Sequence, residues 1–272
     1  MKQIFSARAL MSGVVVALLF VAVPSADHWW GGYHWATSGG GLALNVGDNV
    51  DSTWDPYLDQ TITDWNVSGW LNFVEVSGGT TPRKCRPTAG RIEVCNAAYG
   101  NNGWLGIAQI WLSGGHISQA ITKVNDTYFN TATYNTPAWR RLVMCQEVGH
   151  DFGLDHQDET NNNTNLGSCM DYTNDPDGGP GGAVNDDPSN EHPNTHDYDQ
   201  VQIIYSHSDG GAAAAAIDSD APDHPSQWGR LMRQNKDRRI QVFELDLGQG
   251  RKMLTHVFWA DEENDGRGND KK

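Results

Sequence analysis

The sequence predicts an α+β fold, with helices packed on a β-sheet and a β-hairpin near the C-terminus. Four apolar residues recur at the spacing of one helix face: Trp54, Leu58, Ile62 and Trp65. Four short β-like runs follow, at residues 73–76, 92–94, 107–112 and 117–124. Late in the chain, residues 240–247 and 253–259 alternate around Gly-Gln-Gly, which is typical of a hairpin. These patterns favour a mixed helix and strand domain.

Two more helices complete the predicted elements. Thr136 is a suitable N-cap, and Pro137 fits a first helical turn because no backbone N–H is needed there. A later helix is marked by four residues on one face: Tyr198, Val201, Ile204 and Tyr205. The C-terminal hairpin is too small to fold alone, so we expect it to pack on the main domain.

Length and charge narrow the classes of function. The 272 residues suffice for one good-sized domain with appendages. With 19 Lys and Arg against 34 Asp and Glu, the formal charge is −15, which argues against binding of nucleic acid. Only 19% of residues are charged while Gly reaches 30, so uncharged loops and turns must cover much of the surface. This balance is typical of a secreted protein.

The N-terminus has the organisation of a signal peptide. Lys2 and Arg8 precede an apolar run from Leu10 to Val23, and the small residues Ser25 and Ala26 follow it. The run is shorter than the ~20 residues of a membrane-spanning helix, and an uncleaved anchor is the alternative. We expect the mature chain to be secreted, extracellular and free of the membrane.

Composition divides the chain into five parts. Residues 1–26 are the signal peptide, and residues 27–207 are expected to form the main domain. Residues 208–227 are rich in Ala and Asp, which is typical of a linker. The hairpin then occupies residues 228–261 as an appendage, and residues 262–272 form a polar tail. We expect the protein to be a monomer.

The stretch from Asp171 to Asp199 is rich in Asp, Asn, Gly and Pro and indicates a long ordered loop. Two interpretations stay open for it. The loop is either simply solvated, or it holds a structural Ca2+ ion through its oxygen ligands. A calcium-stabilised scaffold is therefore one class of function to consider.

Four cysteines, an even number in a secreted chain, predict two disulfides. Cys85 and Cys95 lie on either side of a Pro and a Gly, which favours a bond across a hairpin. Cys145 and Cys169 are then left to pair over a longer loop. Metal binding by these thiols is the alternative.

The sequence CQEVGHDFGLDH near the middle of the chain carries the chemistry. On a helix, Gln146 and His150 are four residues apart and face the same side, with Glu147 beside them. Gly153 is suited to end the helix in a left-handed turn, which brings His156 back toward the first two positions. Two imidazoles and a polar side chain that converge, with a carboxylate alongside, are typical of a catalytic metal site.

This stretch resembles the metzincin metallopeptidase motif H-E-x-x-H-x-x-G-x-x-H, which reads Q-E-x-x-H-x-x-G-x-x-H here. The segment HDFGLDH is most similar to the matrixin branch. Downstream, Ser-Cys-Met-Asp-Tyr resembles the Met-turn of the family, with Met170 beneath the metal. Tyr172 stands where astacin- and serralysin-like members have a tyrosine near the metal. The resemblance spans about Trp29 to His207 and implies a twisted mixed sheet with an N-terminal helix, a motif helix and a C-terminal helix.

The resemblance implies a role for each site residue. His150 and His156 would hold a Zn2+ ion, and Glu147 would be the general base that activates the attacking water. Tyr172 would ligate the metal or steady the oxyanion. Gln146 departs from the family, which has its first metal-binding histidine there. An amide oxygen is a poorer zinc ligand, so copper is an alternative metal.

The function implied is that of a secreted, metal-dependent endopeptidase acting on peptide or protein substrates. An extended substrate is expected to add as an antiparallel strand at the edge formed by residues 107–112. A bond between Cys145 and Cys169 would tie the motif helix to the Met-turn. Residues 82–87, PRKCRP, are faintly similar to a matrixin cysteine switch, but the hairpin disulfide is the preferred interpretation.

Two other functions stay open. If the Gln146 change has abolished catalysis, the domain acts as an extracellular module that binds peptides or proteins. In the calcium-stabilised scaffold, His150 and His156 are ordinary core histidines. The scaffold predicts bound calcium and no effect of mutating His150.

Overall fold

The computed structural model describes residues 28–179, 187–210, 214–236 and 238–261. The predicted signal peptide and the predicted polar tail lie outside the described residues. Within the described ranges, no helix is long and apolar enough to cross a membrane.

The described residues form four α-helices and nine β-strands. The helices are α1 (Asp55–Asn66), α2 (Asp126–Phe129), α3 (Pro137–Asp151) and α4 (Thr195–Tyr205). The strands are β1 (His34–Trp35), β2 (Leu42–Asn49), β3 (Leu71–Ser77), β4 (Arg91–Ala97), β5 (Trp104–Ser113), β6 (His116–Asn125), β7 (Arg230–Gln234), β8 (Ile240–Gly248) and β9 (Arg251–Trp259). The predicted α+β class is confirmed.

These strands belong to one mixed sheet. Its order is β3-β2-β4-β6-β5-β9-β8-β7, and β1 pairs with β6 beside this path. The half that contains β2, β3, β4 and β6 is parallel, and the half from β6 through β5 to β7 is antiparallel. Helix α3 lies across β5 and β6 and packs against α1. The motif helix therefore rests on the junction of the two halves.

The ends of α3 follow from local chemistry. The Thr136 hydroxyl accepts a hydrogen bond from the Trp139 amide at 3.3 Å, and Pro137 occupies the first turn. At the other end, Gly153 adopts φ +106°, in the left-handed region. A Cβ atom there would also lie 2.3 Å from the Tyr33 carbonyl oxygen, so only glycine fits. Both ends agree with the sequence prediction.

Strand β2 is absent from the sequence prediction. It contains Asn45, Gly47, Asp48 and Asn49, residue types that are depleted in strands. Parallel partners on both sides, β3 and β4, hold it in place nonetheless. Long-range pairing has therefore overridden a weak local preference.

The C-terminal hairpin is part of the main sheet. Strand β9 pairs antiparallel with β5 along most of its length, in the register Ala108↔His256 and Gln109↔Thr255. The expectation that residues 107–112 form a free sheet edge is therefore wrong, because β9 satisfies the backbone groups that a substrate would need. Leu254 belongs to the same buried cluster as the residues of α3.

The opposite face of the sheet has its own apolar core. Trp104, Trp111 and Trp228 are fully buried there. Ile217, which lies in the region predicted as a linker, is buried in the same cluster. Its backbone exchanges two hydrogen bonds with the Gln119 side chain, at 2.6 and 3.0 Å. This part of the chain thus covers a sheet face on its way to the hairpin.

Candidate metal centre

Helix α3 and the turn after it place the two motif histidines together. His150 and His156 make an edge-to-face ring contact, with centroids 4.7 Å apart. His150 donates a hydrogen bond from Nδ1 to the Leu154 carbonyl oxygen at 2.8 Å. That bond fixes the ring and leaves Nε2 with its lone pair, and Nε2 has no partner among the described residues.

A third histidine, which the sequence analysis missed, completes the cluster. His256 on β9 stacks on the His150 ring at a centroid distance of 3.7 Å and lies 4.8 Å from the His156 ring. One ring nitrogen from each of the three histidines lies within 4.8 Å of the others. The available signal was a histidine between Leu254 and Phe258, on the face of β9 that joins the main core.

The three rings are suited to metal binding because they are kept neutral. Burial lowers the pKa of His150 well below its ordinary value, and the nearby His256 lowers it further. Burial, followed by the two neighbouring rings, does the same to the pKa of His156. Burial also lowers the pKa of His256, although Asp155 opposes that change. Neutral imidazoles have a lone pair to offer to a metal.

Gln146 lies at the same centre but its amide is already engaged. Its Nε2 donates to the Cys169 carbonyl oxygen at 2.8 Å, and its Oε1 lies 3.1 Å from His156 Nε2. The glutamine therefore orients the His156 ring and ties α3 to the turn that contains Cys169. Its predicted role as a metal ligand stays a prediction.

Glu147 is a buried carboxylate that no side chain among the described residues pairs with, and the Ala108 amide is the backbone group that acts on it. Burial raises its pKa well above the ordinary value, and the charge of Asp151 adds to the increase, while the Ala108 amide opposes it. An unpaired buried carboxylate is costly unless a cation or a proton neutralises it. Glu147 faces Gly106 of β5, so a cation or a proton on that side of the motif helix would remove this cost.

Met170 and the second disulfide form the floor of the site. The disulfides join Cys85 to Cys95 and Cys145 to Cys169, which is the pairing expected from the sequence. Met170 is fully buried beneath α3. A Cβ atom on Gly149 would lie 2.5 Å from the Met170 sulfur, so the helix approaches the turn only because it has glycine there.

Tyr172 lies at the centre, but its hydroxyl is occupied by the hairpin. The ring packs edge-on against His156 at a centroid distance of 5.7 Å. The hydroxyl donates to the Arg239 carbonyl oxygen, next to β8, at 3.0 Å. Burial raises the pKa of Tyr172, so the phenol stays protonated.

The donor types suit a zinc-type ion, and the stacked His150 and His256 rings would turn to direct one nitrogen each at it. Three neutral imidazoles with mutually close ring nitrogens are a common protein site for zinc or copper. The centre is also closed, since His150 and His256 have no exposed surface and Glu147 is 1% exposed. Strand β9, through His256, and the ring of Trp30, which packs edge-on against His150 and His256, cover this centre.

The Asp- and Asn-rich loop leaves the calcium prediction untested. Residues 180–186 of that loop lie outside the described residues. Asp171 Oδ2 accepts hydrogen bonds from the Leu166 amide and the Asn190 side chain, each at 2.8 Å. These two hydrogen bonds to Asp171 hold the described part of the loop in place.

The similarity of the chain to known proteins is low. No family model and no curated protein matches it. Among solved structures, it is similar to High choriolytic enzyme 1 (HCE-1), a hatching enzyme zinc-protease from Oryzias latipes (medaka fish), with a TM-score of 0.34 and 12% sequence identity. That alignment covers 64% of this chain and 94% of the medaka enzyme. A similarity this low indicates no function for this chain.

Proposed function

We propose that the chain is a secreted metal-dependent endopeptidase whose active site is closed by its own C-terminal hairpin. In the closed form, His150, His156 and His256 would hold the metal. When bound, a zinc ion supplies a Lewis acid that polarises the scissile carbonyl. The substrate would be an extended peptide, and the protein would act as a monomer outside the cell.

The observation that carries this proposal is the state of Glu147. Its carboxylate is buried on the motif helix, against Gly106 of β5, and no side chain among the described residues pairs with either oxygen. A purely structural metal site requires no such group, whereas hydrolysis of a peptide bond requires a general base close to the metal. Glu147 would take a proton from the attacking water and deliver it to the leaving amine.

Opening of the hairpin would free β5, Gln146 and Tyr172 for their roles in hydrolysis. The backbone of β5 becomes available for a substrate strand only when β9 leaves it. His256 would move with β9, so that Gln146 or a water would stand in the third position. The Tyr172 hydroxyl, released from the Arg239 carbonyl, could then donate to the developing oxyanion.

The test is hydrolysis of an unfolded protein by the mature, oxidised and zinc-loaded chain, beside a Glu147→Gln variant. Because loss of a general base typically costs 10²–10⁴-fold in rate, we expect the variant to lose at least about 100-fold. Zinc content, measured by mass spectrometry, should stay unchanged, since glutamine has the size of glutamate. A loss of zinc in the variant would mean that Glu147 holds the metal and is not the base.

Because the site is closed, the parent chain and the Glu147→Gln variant are each also tested in a form whose hairpin can be released. A specific protease site inserted between Ala215 and Ala216, which are both exposed, would allow the segment that carries β7–β9 to detach after cutting. We expect cutting to increase the activity of the parent chain and to leave the Glu147→Gln variant inactive. Silence of the cut and uncut parent, with zinc or copper present, would reject the peptidase.

A catalytically silent binding module is the second candidate. It is favoured by the closure of the site, because structural metal sites are closed and catalytic ones keep an open position. In that case the three histidines stabilise the fold, and partners bind elsewhere. Retained zinc with no hydrolysis in any version of the protein would support this module.

A further inference from the structure

A second group of metal-binding side chains lies outside the site described above. We call it the Asp209 cluster, and it consists of His34 in β1, His116 at the start of β6, and His207 and Asp209 after α4. It shares no residue with the His150 centre. Three separate parts of the chain meet there, which is typical of a site built by the fold.

The donor atoms of the cluster converge on one carboxylate. Asp209 Oδ1 lies 3.0 Å from His207 Nε2, 3.4 Å from His34 Nε2 and 3.4 Å from His116 Nε2. The ring nitrogens of His207 and His34 lie 3.1 Å apart. One donor atom each from His34, His116 and Asp209 lies within 4.8 Å of the others, and His207 Nε2 adjoins His34 and Asp209.

These separations match those within a zinc coordination shell. With metal–ligand bonds of about 2.0–2.1 Å, tetrahedral ligand atoms stand about 3.3–3.4 Å apart. The four measured separations between these donor atoms, 3.0–3.4 Å, fall at or just below that value. A single carboxylate oxygen cannot make three well-directed hydrogen bonds as easily as it can share one cation with three imidazoles.

Neighbouring backbone groups orient the ligands as in known metal sites. His34 Nδ1 lies 3.1 Å from the Gly32 carbonyl oxygen, so the proton is held on Nδ1 and Nε2 keeps its lone pair. Asp209 Oδ2 accepts a hydrogen bond from the Thr37 amide at 2.9 Å, which leaves Oδ1 directed at the rings. The cluster therefore contains both the ligand atoms and the backbone groups that orient them.

We propose that His34, His116, His207 and Asp209 form a second, structural zinc site. Three imidazoles and one carboxylate are the ligand types of a closed, four-coordinate zinc site, in which His207 would complete the group formed by His34, His116 and Asp209. The ion would tie the N-terminal strand and the turn before β6 to the end of α4. An ion can reach the site from solvent, because the side chains of His116 and His207 are 28% and 39% exposed. This site does not depend on the proposed peptidase activity.

The test counts zinc ions per chain in the mature, oxidised protein after stripping with chelator and dialysis against zinc. The test variant is His116→Asn with His207→Asn, which removes two partly exposed rings. The matched control is His192→Asn with His224→Asn, which removes two exposed histidines outside both clusters. We expect two zinc ions in the parent and the control, and one in the test variant.

Thermal unfolding provides a second measurement. Zinc that binds only the folded state raises Tm with its concentration, so the test variant should lose part of the zinc-dependent increase that the control keeps. Asp209→Asn, which keeps the side-chain shape, should lose the same zinc ion and guards against misfolding of the double variant. His150→Ala should lose the other ion.

The outcomes separate the two sites. A parent that binds one ion, lost in the His116/His207 variant and kept in His150→Ala, would support the structural site and reject the His150 centre. Equal zinc content and equal zinc-dependent Tm in parent, test and control proteins would overturn the proposal. So would an additional ion that disappears only in the His192/His224 control.

Discussion

His256 on the hairpin provides a basic imidazole nitrogen at the centre, whereas Gln146 of the motif provides only an amide. The amide of Gln146 is held by the Cys169 carbonyl and by the His156 ring, and it has no lone pair as basic as that of an imidazole. His256 places a neutral ring against His150 from the opposite side. At the scale of single residues, the chain therefore has three imidazoles at the centre although the motif has only two.

Asp171, just after Met170, permits a prediction about pH and stability. Burial, above all, raises its pKa to about 6, although the Leu166 amide and the Asn190 side chain oppose the shift. Because the folded state binds the proton more tightly than the unfolded state, whose pKa is about 3.9, stability due to this group falls from about pH 4 to pH 6. Above pH 6 its contribution is constant.

We expect Asp171→Asn to remove that decrease. The amide oxygen can accept the same two hydrogen bonds, and the side chain no longer ionises. The Tm difference between variant and parent should rise by a few degrees between pH 4 and pH 6 and then level off. Differential scanning calorimetry over this pH range measures it, and a difference that stays flat would contradict the buried charge.

At the scale of elements, helix α3 and its turn were accessible from sequence because their signals are local. Thr136, Pro137 and Gly153 define the two ends, and the spacing of His150 and His156 follows from helix geometry. The roles of Glu147 and Tyr172 are still predictions. His256 could not be inferred, because its place depends on the register of β9 against β5, which pairs residues nearly 150 positions apart. Patterns within a single segment contain no information on such pairing.

The two disulfides join different elements, and this allows a matched comparison. Replacing Cys145 and Cys169 by serine frees the motif helix from the Met-turn. In the chain-entropy account, this costs about 3 kcal/mol of unfolding free energy. We also expect zinc affinity at the His150 centre to fall at least 10-fold, because Gln146 and Met170 follow the two cysteines directly.

The control is serine at both Cys85 and Cys95, which lie in the other apolar core. That variant should lose a similar amount of stability but keep its zinc affinity at the His150 centre. Zinc titration with a competing chelator, beside urea unfolding, separates the two effects. Equal losses of zinc affinity in both variants would show that general stability, and not the floor of the site, controls metal binding.

At the scale of the whole molecule, one sheet includes both the motif domain and the hairpin that covers it. Strand β5 is paired on both sides, by β6 and by β9, so the edge that a substrate strand needs is occupied. The same hairpin provides His256 and binds the Tyr172 hydroxyl through the Arg239 carbonyl. Its movement would therefore change the metal ligands, the oxyanion donor and the substrate edge together.

A covalent lock tests whether that movement is required. Gln109 on β5 and Thr255 on β9 are paired in register, and their side chains share a 3.0 Å hydrogen bond. Replacing both by cysteine places two thiols side by side. If the peptidase works only with the hairpin open, the disulfide should reduce hydrolysis to the level of Glu147→Gln, while zinc content at the His150 centre stays at one ion.

The single variants Gln109→Cys and Thr255→Cys are the controls, since each loses the same hydrogen bond without gaining a bond between the strands. Peptide mapping must show that the new disulfide forms and that the native ones are intact. Both single variants should hydrolyse the unfolded protein at close to the parent rate. A locked protein as active as its single-cysteine controls would mean that substrate reaches the metal without separating β9 from β5, and the hairpin would then be a permanent wall of the active site.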